Sequence, residues 1–403
     1  MGEIDERIEI VCAGIGNGTG EKTLDHLAWL RNECAQGPTV QTVLYKWQNG
    51  RLVEVLLEYL VQPGDGQSAV VGQRVMQLLC NSIVANAETQ AILWSHIFPN
   101  TLCLILRRAP PATAAYAPVL VHNLTAQPDS SGRSRLEALC DEPGKHLLAT
   151  LYEALDKNEK SDVMLDWTSH LTRNLFLQAT SFPELALSLL STHGTPSRVM
   201  MKVLDGVLHH AWENREGDGK ISLRDASLNA LCKCMVLHLD NNQSNLDGNY
   251  MLLWIHTLGS LSAFLSDAQR LLLMENGFIA HYLPLLAWKK PSQFYGRIID
   301  KVEVMRFVAN VSFRCRAVQN HVRELGGLVM VLNLTHYDDT YPYQREWAIV
   351  CIRNLCEGNE ANQKFIQELA PIKVVDSPEL RDQGLQARLE NGAVKVSRTG
   401  KQV

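Results

Sequence analysis

An asparagine recurs near the ends of apolar stretches along the chain: "WLRNECAQG" at Asn32, "LLCNSIVAN" at Asn81, "LVHNLTAQP" at Asn123, "LTRNLFLQA" at Asn174, "FVANVSFRC" at Asn310 and "CIRNLCEGN" at Asn354. Between Asn174 and Asn310, His210 in "VLHHAWENR" and Gly259 in "IHTLGSLSA" stand at the equivalent place. The steps are 49, 42, 51, 36, 49, 51 and 44 residues, with a mean of 46. Glutamine keeps the same beat, because Gln41, Gln90, Gln319 and Gln363 each lie nine residues beyond their Asn.

Apolar residues within these stretches fall at i, i+3, i+4 and i+7, and strict alternation over six or more residues is scarce, so the chain reads as all-helical. Helical units of about 40 to 47 residues are the armadillo and HEAT class. The expected fold is an all-α, armadillo/HEAT-like right-handed superhelical solenoid of about eight helical repeats. Two or three helices cannot cover all their apolar faces within one unit, so neighbouring units must stack. Turn signals such as "VRELGGLVMVLNL" and "MENGFIAHYLPLL" supply glycines that let the chain reverse. Residues 1–21, rich in turn formers, are expected as an N-terminal cap segment, residues 22–372 as the solenoid, and residues 373–403, charged and without helical periodicity, as a tail that is partly extended or mobile.

With 38 basic and 43 acidic residues the net charge is -5, too weak a field for nucleic acid or an anionic membrane. Ten scattered cysteines and the lack of a signal-type start point to a reducing, cytoplasmic compartment. The longest uncharged runs contain Pro, Asn and His, which suits buried helices and not membrane spans.

Local motifs do not overturn this picture. "NREGDGKISLRD", residues 214–225, has the spacing of a twelve-residue calcium loop, but begins with Asn214, ends with Asp225 and has no second copy. "CAGIGNGTGEKT", residues 12–23, hints at a phosphate loop, yet Glu21 separates Gly20 from Lys22. Calcium- or nucleotide-responsive regulation through these segments is the alternative to a binding scaffold. Cys234 and His238 lack the paired spacing of a zinc site, and Cys351 and Cys356 read as small apolar fillers. No catalytic grouping stands out, so no enzyme activity, metal or cofactor is expected.

The recurrent asparagines admit two readings. A carboxamide donates and accepts, so Asn81, Asn123, Asn174, Asn310 and Asn354 are candidates to hold the backbone of a protein partner, with Trp167, Trp347 and Arg345 as further contact candidates. The plainer reading has each Asn tying down the loop beyond its own helix. Trp347, Trp167 and Tyr116 each precede an Asn by seven residues; the Trp-Asn arrays of nuclear import adaptors put Trp four before Asn, where this chain has Val350, His170 and Val119.

From Val322 the sequence becomes more particular: "VRELGG", then "YDDTYPYQREWAIVCIRNLCEGNEANQKFI". Val322 to Gly327, Asp338, Asp339, Pro342, Arg345 to Ile349, Arg353 to Leu355, Asn362 and Gln363 resemble the C-terminal domain of the ataxin-10 family, most strongly over residues 322–366 within a region of about 294–372. Leu328 and Val329 replace the family's Ile-Pro, and residues 1–293 carry only generic armadillo character. The resemblance implies a non-enzymatic armadillo-like scaffold with protein partners, copies of itself included, in a family associated with cytokinesis, cell survival and self-association. In the matched helix Ala348, Ile352 and Leu355 are expected as the buried stripe, and Arg345, placed unfavourably at a helix start, as a partner of Asp338 or Asp339.

Overall fold

The computed structural model describes residues 2–16, 21–62, 68–126, 130–158, 160–190, 198–214, 223–241, 249–287, 301–336, 343–369, 378–390 and 393–398. These fall into two units, one of residues 1–282 and 289–299, the other of residues 283–288 and 300–403.

In the first unit the helices Gly2–Gly16, Glu21–Cys34, Ala69–Asn81, Ala117–Thr125, Asp162–Gln178, Arg198–Glu213 and Asn249–Leu261 pack in chain order, each on the one before. Asn32, Asn81, Asn123, Asn174, His210 and Gly259 lie on successive members of this row, from the second helix onward. A second row, Arg51–Val61, Asn100–Arg108, Glu142–Lys157, Phe182–Leu190, Asp225–Asn241 and Asp267–Glu275, also packs in order. Shorter helices such as Pro38–Lys46 and Ala87–Ile97 connect the rows. This is an all-α helical repeat in the register that the asparagines define.

Apolar residues from both rows close the core: Leu27, Leu56, Leu60, Leu79, Leu102, Leu151 and Leu175 are buried to within 1%. Aromatic residues in the core find partners for their polar ends. Trp254 donates its indole N–H to the Met201 carbonyl at 2.8 Å, and the Tyr45 and Tyr152 hydroxyls meet Ser82 and Thr172.

In the second unit Lys301–Ser312 packs on Gln344–Cys356 and on the short turn Leu283–Ala287. The "VRELGG" turn explains its two glycines separately. Gly326 has φ 77, a left-handed conformation, whereas Gly327 sits so close to the Val322 and Leu283 side chains that a Cβ would collide with them.

Two local expectations are corrected, for the opening residues and the matched helix, and the partly extended tail is found as a strand pair. The opening residues form the helix Gly2–Gly16, because Ile8 and Val11 are fully buried on one face and Gly14, which suggests a turn in sequence, lets that helix approach Thr23. In the tail, strands Leu385–Glu390 and Ala393–Arg398 pair antiparallel, with Leu389 opposite Val394 and Ala387 opposite Val396. On the matched helix the buried stripe is Ala348, Cys351 and Leu355, and Ile352 is half-exposed.

Two helical glycines should respond oppositely to alanine. A Cβ at Gly144 meets the backbone of Ala138 and Leu139, which cannot swing aside as a side chain would, so Gly144→Ala should cost about 2 kcal/mol or more. Gly206 has no atom within 4 Å of its would-be Cβ and lies inside a helix, so Gly206→Ala should add about 0.5–1 kcal/mol. Urea unfolding of the two variants measures both signs.

Candidate interaction ridge

Each of three recurrent asparagines donates its side-chain N–H to the main-chain carbonyl just before the preceding unit's Asn. Asn81 reaches Arg31 at 3.4 Å, Asn123 reaches Cys80 at 3.1 Å and Asn354 reaches Ala309 at 3.0 Å. The glutamines answer in the other direction. Gln41 donates to the carbonyls of Cys34 and Asn81, Gln90 to those of Ile83 and Asn123, and Gln319 to those of Ser312 and Asn354, all between 2.8 and 3.2 Å. Each of these glutamines thus binds a carbonyl seven residues back in its own unit and the carbonyl of the next unit's Asn. The Asn and Gln pair is a clamp between neighbours. It occupies carbonyls at helix ends, which have no partner within the helix.

A second asparagine that sequence reasoning missed completes the clamp. Asn86 and Asn359, five residues beyond Asn81 and Asn354, cap the next helix by accepting backbone N–H bonds. Asn359 also donates to Gln319, and Asn86 donates to the Pro38 carbonyl. The pattern Asn, then Asn at five and Gln at nine, was present at both places as its signal. Where Gln is missing, other donors serve the turn: Arg135 reaches the Leu124 carbonyl and Gln90, while Arg224 and Ser227 reach the Phe176 carbonyl.

The faces of these helices that lie seven, four and one residues before the Asn position carry two clusters of interacting side chains in the first unit, which together form a ridge. Arg31 donates to Gln77 at 3.0 Å, and Gln77 donates to the Tyr116 hydroxyl at 2.7 Å. On the next two helices the His122 ring meets the Trp167 edge at 4.9 Å between centroids, and Trp167 lies 5.4 Å from His170. Arg173 then approaches His210 Nδ1 at 3.5 Å, so side chains span five successive helices of the row.

Burial decides the charges on this ridge. Desolvation holds His122, His170 and His210 below the ordinary histidine value, and the Arg173 guanidinium lowers each further. Asn214 also donates to His210 Nδ1, at 2.9 Å, which leaves the ring's proton on Nε2. Arg173 is itself held below its usual value by desolvation. The thiols are quiet: all ten cysteines are free, and burial pushes Cys34 and Cys140 up to about 12.

The candidate contact residues are distributed unevenly. Trp167 belongs to the ridge, Asn174 lies on the same helix, and Asn123 spends its donor on the clamp. Asn81 and Asn354 likewise spend theirs on the backbone. Asn310, Trp347 and Arg345 lie in the second unit, with Trp347 half-buried and Arg345 exposed at the helix start. Asp338, Asp339 and Pro342 are outside the described residues, as are 215–222 of the calcium-like loop and 17–20 of the Gly-rich segment; Cys12 to Gly16 of the latter are helical. Among the described residues no group of three or more His, Cys, Asp or Glu could hold a metal ion, and no helix is long and apolar enough to cross a membrane.

Residues 300–397 match the family described as "Spinocerebellar ataxia type 10 protein domain", a stretch that takes in the strand pair. A Dictyostelium discoideum ataxin-10 homolog is 40% identical over 102 residues, 25% of this chain and 17% of that protein. A Debaryomyces hansenii homolog is 38% identical over 101 residues, 20% of its length. Human ataxin-10 is 24% identical over 388 residues, covering 89% of this chain and 78% of its own. Residues 300–397 thus carry the ataxin-10 type of domain, and the chain as a whole is similar to ataxin-10 proteins. Its likeness to human ataxin-10 runs well upstream of Val322, where the motifs themselves begin, while the matches at 38% and 40% identity span about a quarter of the chain and a fifth or less of those relatives.

Two outcomes test this geometry. Gln90→Leu removes the donor to two buried carbonyls and the acceptor for Arg135, and should cost about 3 kcal/mol. Gln363→Leu loses one exposed bond, to the Cys356 carbonyl, and should change stability by less than ~0.5 kcal/mol; chemical denaturation compares them. For the histidines, folded values lie below unfolded ones, so the unfolded chain takes up protons first on acidification. Stability should therefore be full above pH 6.5 and fall as pH drops through the unfolded value near 6.5 toward the lowered folded values. Replacing His122, His170 and His210 together by Gln should flatten the unfolding midpoint measured between pH 7.5 and 5.5.

Proposed function

We propose that this chain is a non-enzymatic protein-protein interaction scaffold of the ataxin-10 family, acting in the cytoplasm and presenting the ridge of its helical repeat to protein partners. The supporting observation is the division of labour on the Asn-bearing helices: one set of side chains clamps neighbour to neighbour, and the adjoining set, from Arg31 to His210, forms a half-exposed polar and aromatic surface carried by five successive helices. A surface built from clamped helices is preorganised, which lowers the entropic cost of binding. Tyr, Trp and Arg, the residue types that dominate binding energy, are all present on it. The similarity to ataxin-10 proteins supports the further expectation of a role in cytokinesis or cell survival and of association between copies.

Affinity purification from the source cell tests this reading. The double variant Trp167→Ala, His170→Ala should lose a defined set of the proteins captured by the wild type, by tenfold or more, with an unchanged thermal midpoint. An identical captured set from a folded variant would remove the ridge from partner binding.

A further inference from the structure

Three arginines of the half-exposed ridge bond neutral groups only among the described residues, as Arg107, Arg135 and Arg224 do elsewhere. Other arginines away from it, Arg7, Arg51, Arg270, Arg306 and Arg314, each have a carboxylate within ion-pair distance. On it, Arg31 and Arg74 both donate to one neutral oxygen, Gln77 Oε1, at 3.0 and 3.1 Å, Arg31 donates also to the neutral Asn32 Oδ1 at 2.8 Å, and Arg173 is matched to the His210 ring. None of these three has a carboxylate within ion-pair distance among the described residues. Two guanidiniums converging on a single carboxamide repel each other, and a half-buried one against a neutral imidazole is poorly compensated. Near Arg173, Glu213 is engaged with His209 at 3.1 Å and Asp205 bonds Thr257 at 2.8 Å, while the exposed Asp166 on the same helix acts on His170.

We propose that the ridge is a docking surface for an extended acidic protein segment, with carboxylates seated at the Arg31 and Arg74 pair and at Arg173, and an apolar side chain on the Tyr116 and Trp167 rings between. This rests on the scaffold reading and names the chemistry of the partner. Arg74 and Arg173 lie two helices apart in the row. Helices pack at about 8–10 Å, so the gap is about 20 Å, which six extended residues at ~3.3 Å each span. The segment therefore carries its acids about six positions apart. Short side-chain carboxylates suit the site better than a phosphate backbone, because the net charge of -5 repels a long polyanion while a few local acids meet only the ridge.

The test is selection of displayed random twelve-residue peptides on the full chain, followed by fluorescence anisotropy with the enriched peptide. Asp or Glu pairs about six positions apart should be enriched. Neutralising them to Asn or Gln should weaken binding tenfold or more, as should Arg74→Gln or Arg173→Gln, with Arg388→Gln on the strand pair unchanged. Circular dichroism confirms that each variant is folded. A consensus without acids, no enrichment, or tighter binding of a single-stranded RNA oligonucleotide than of the enriched peptide overturns the assignment. Loss of captured proteins by the Trp167, His170 variant is a separate readout, so the scaffold reading stands or falls apart from this one.

Discussion

The bond from a side-chain amide to a helix-end carbonyl one repeat away is the interaction on which the rest depends. Helix ends leave carbonyls that the helix cannot satisfy, and a repeat protein buries many such ends between neighbours. Gln90 fills two of them at once, Ile83 in its own unit and Asn123 in the next, and is 1% exposed. Local turn geometry and inter-repeat packing are therefore one interaction. Destabilising the turn separates the neighbours, and separating the neighbours strands the turn.

The arrangement tolerates changes in residue type because the acceptors are main chain. Arg135 and Arg224 reach turns where the period lacks glutamine, with guanidiniums long enough to bond two groups together. Gln269 reaches the Leu223 carbonyl in the same manner. A repeat can thus diverge in sequence while its carbonyls remain covered, which fits the 24% identity that human ataxin-10 keeps across most of this chain.

The helical repeat and its register were legible because the Asn and Gln recur at fixed spacing, and a helix of 3.6 residues per turn turns spacing into a face. What the asparagines bind was not, since the partner of Asn123 is a backbone atom 43 residues away that no spacing reveals. Gly14 misled because a glycine reads as a turn whether it serves conformation or close approach, and here Thr23 fills the space where a Cβ would stand. The strand pair escaped because charges interrupt its alternation: Leu385, Ala387 and Leu389 face Arg398, Val396 and Val394 across six pairs only. His122, His170 and Arg173 gain meaning only when separate helices bring them beside Trp167 and His210.

Charge placement separates a structural ridge from one shaped for contact. If Arg173 served stability alone, an apolar side chain of similar length would cover the same surface without the cost of desolvating a guanidinium beside a neutral ring. The same holds for Arg31 and Arg74, whose shared acceptor carries no charge to offset theirs. The clamp between neighbours runs through other side chains, Asn, Gln and at two turns Arg135 and Arg224, all bonded to main-chain carbonyls. Cations held in place by neutral groups, on helices already fixed by other bonds, keep their charge available for an anion from outside. A rigid row of helices then sets the interval at which that anion must repeat.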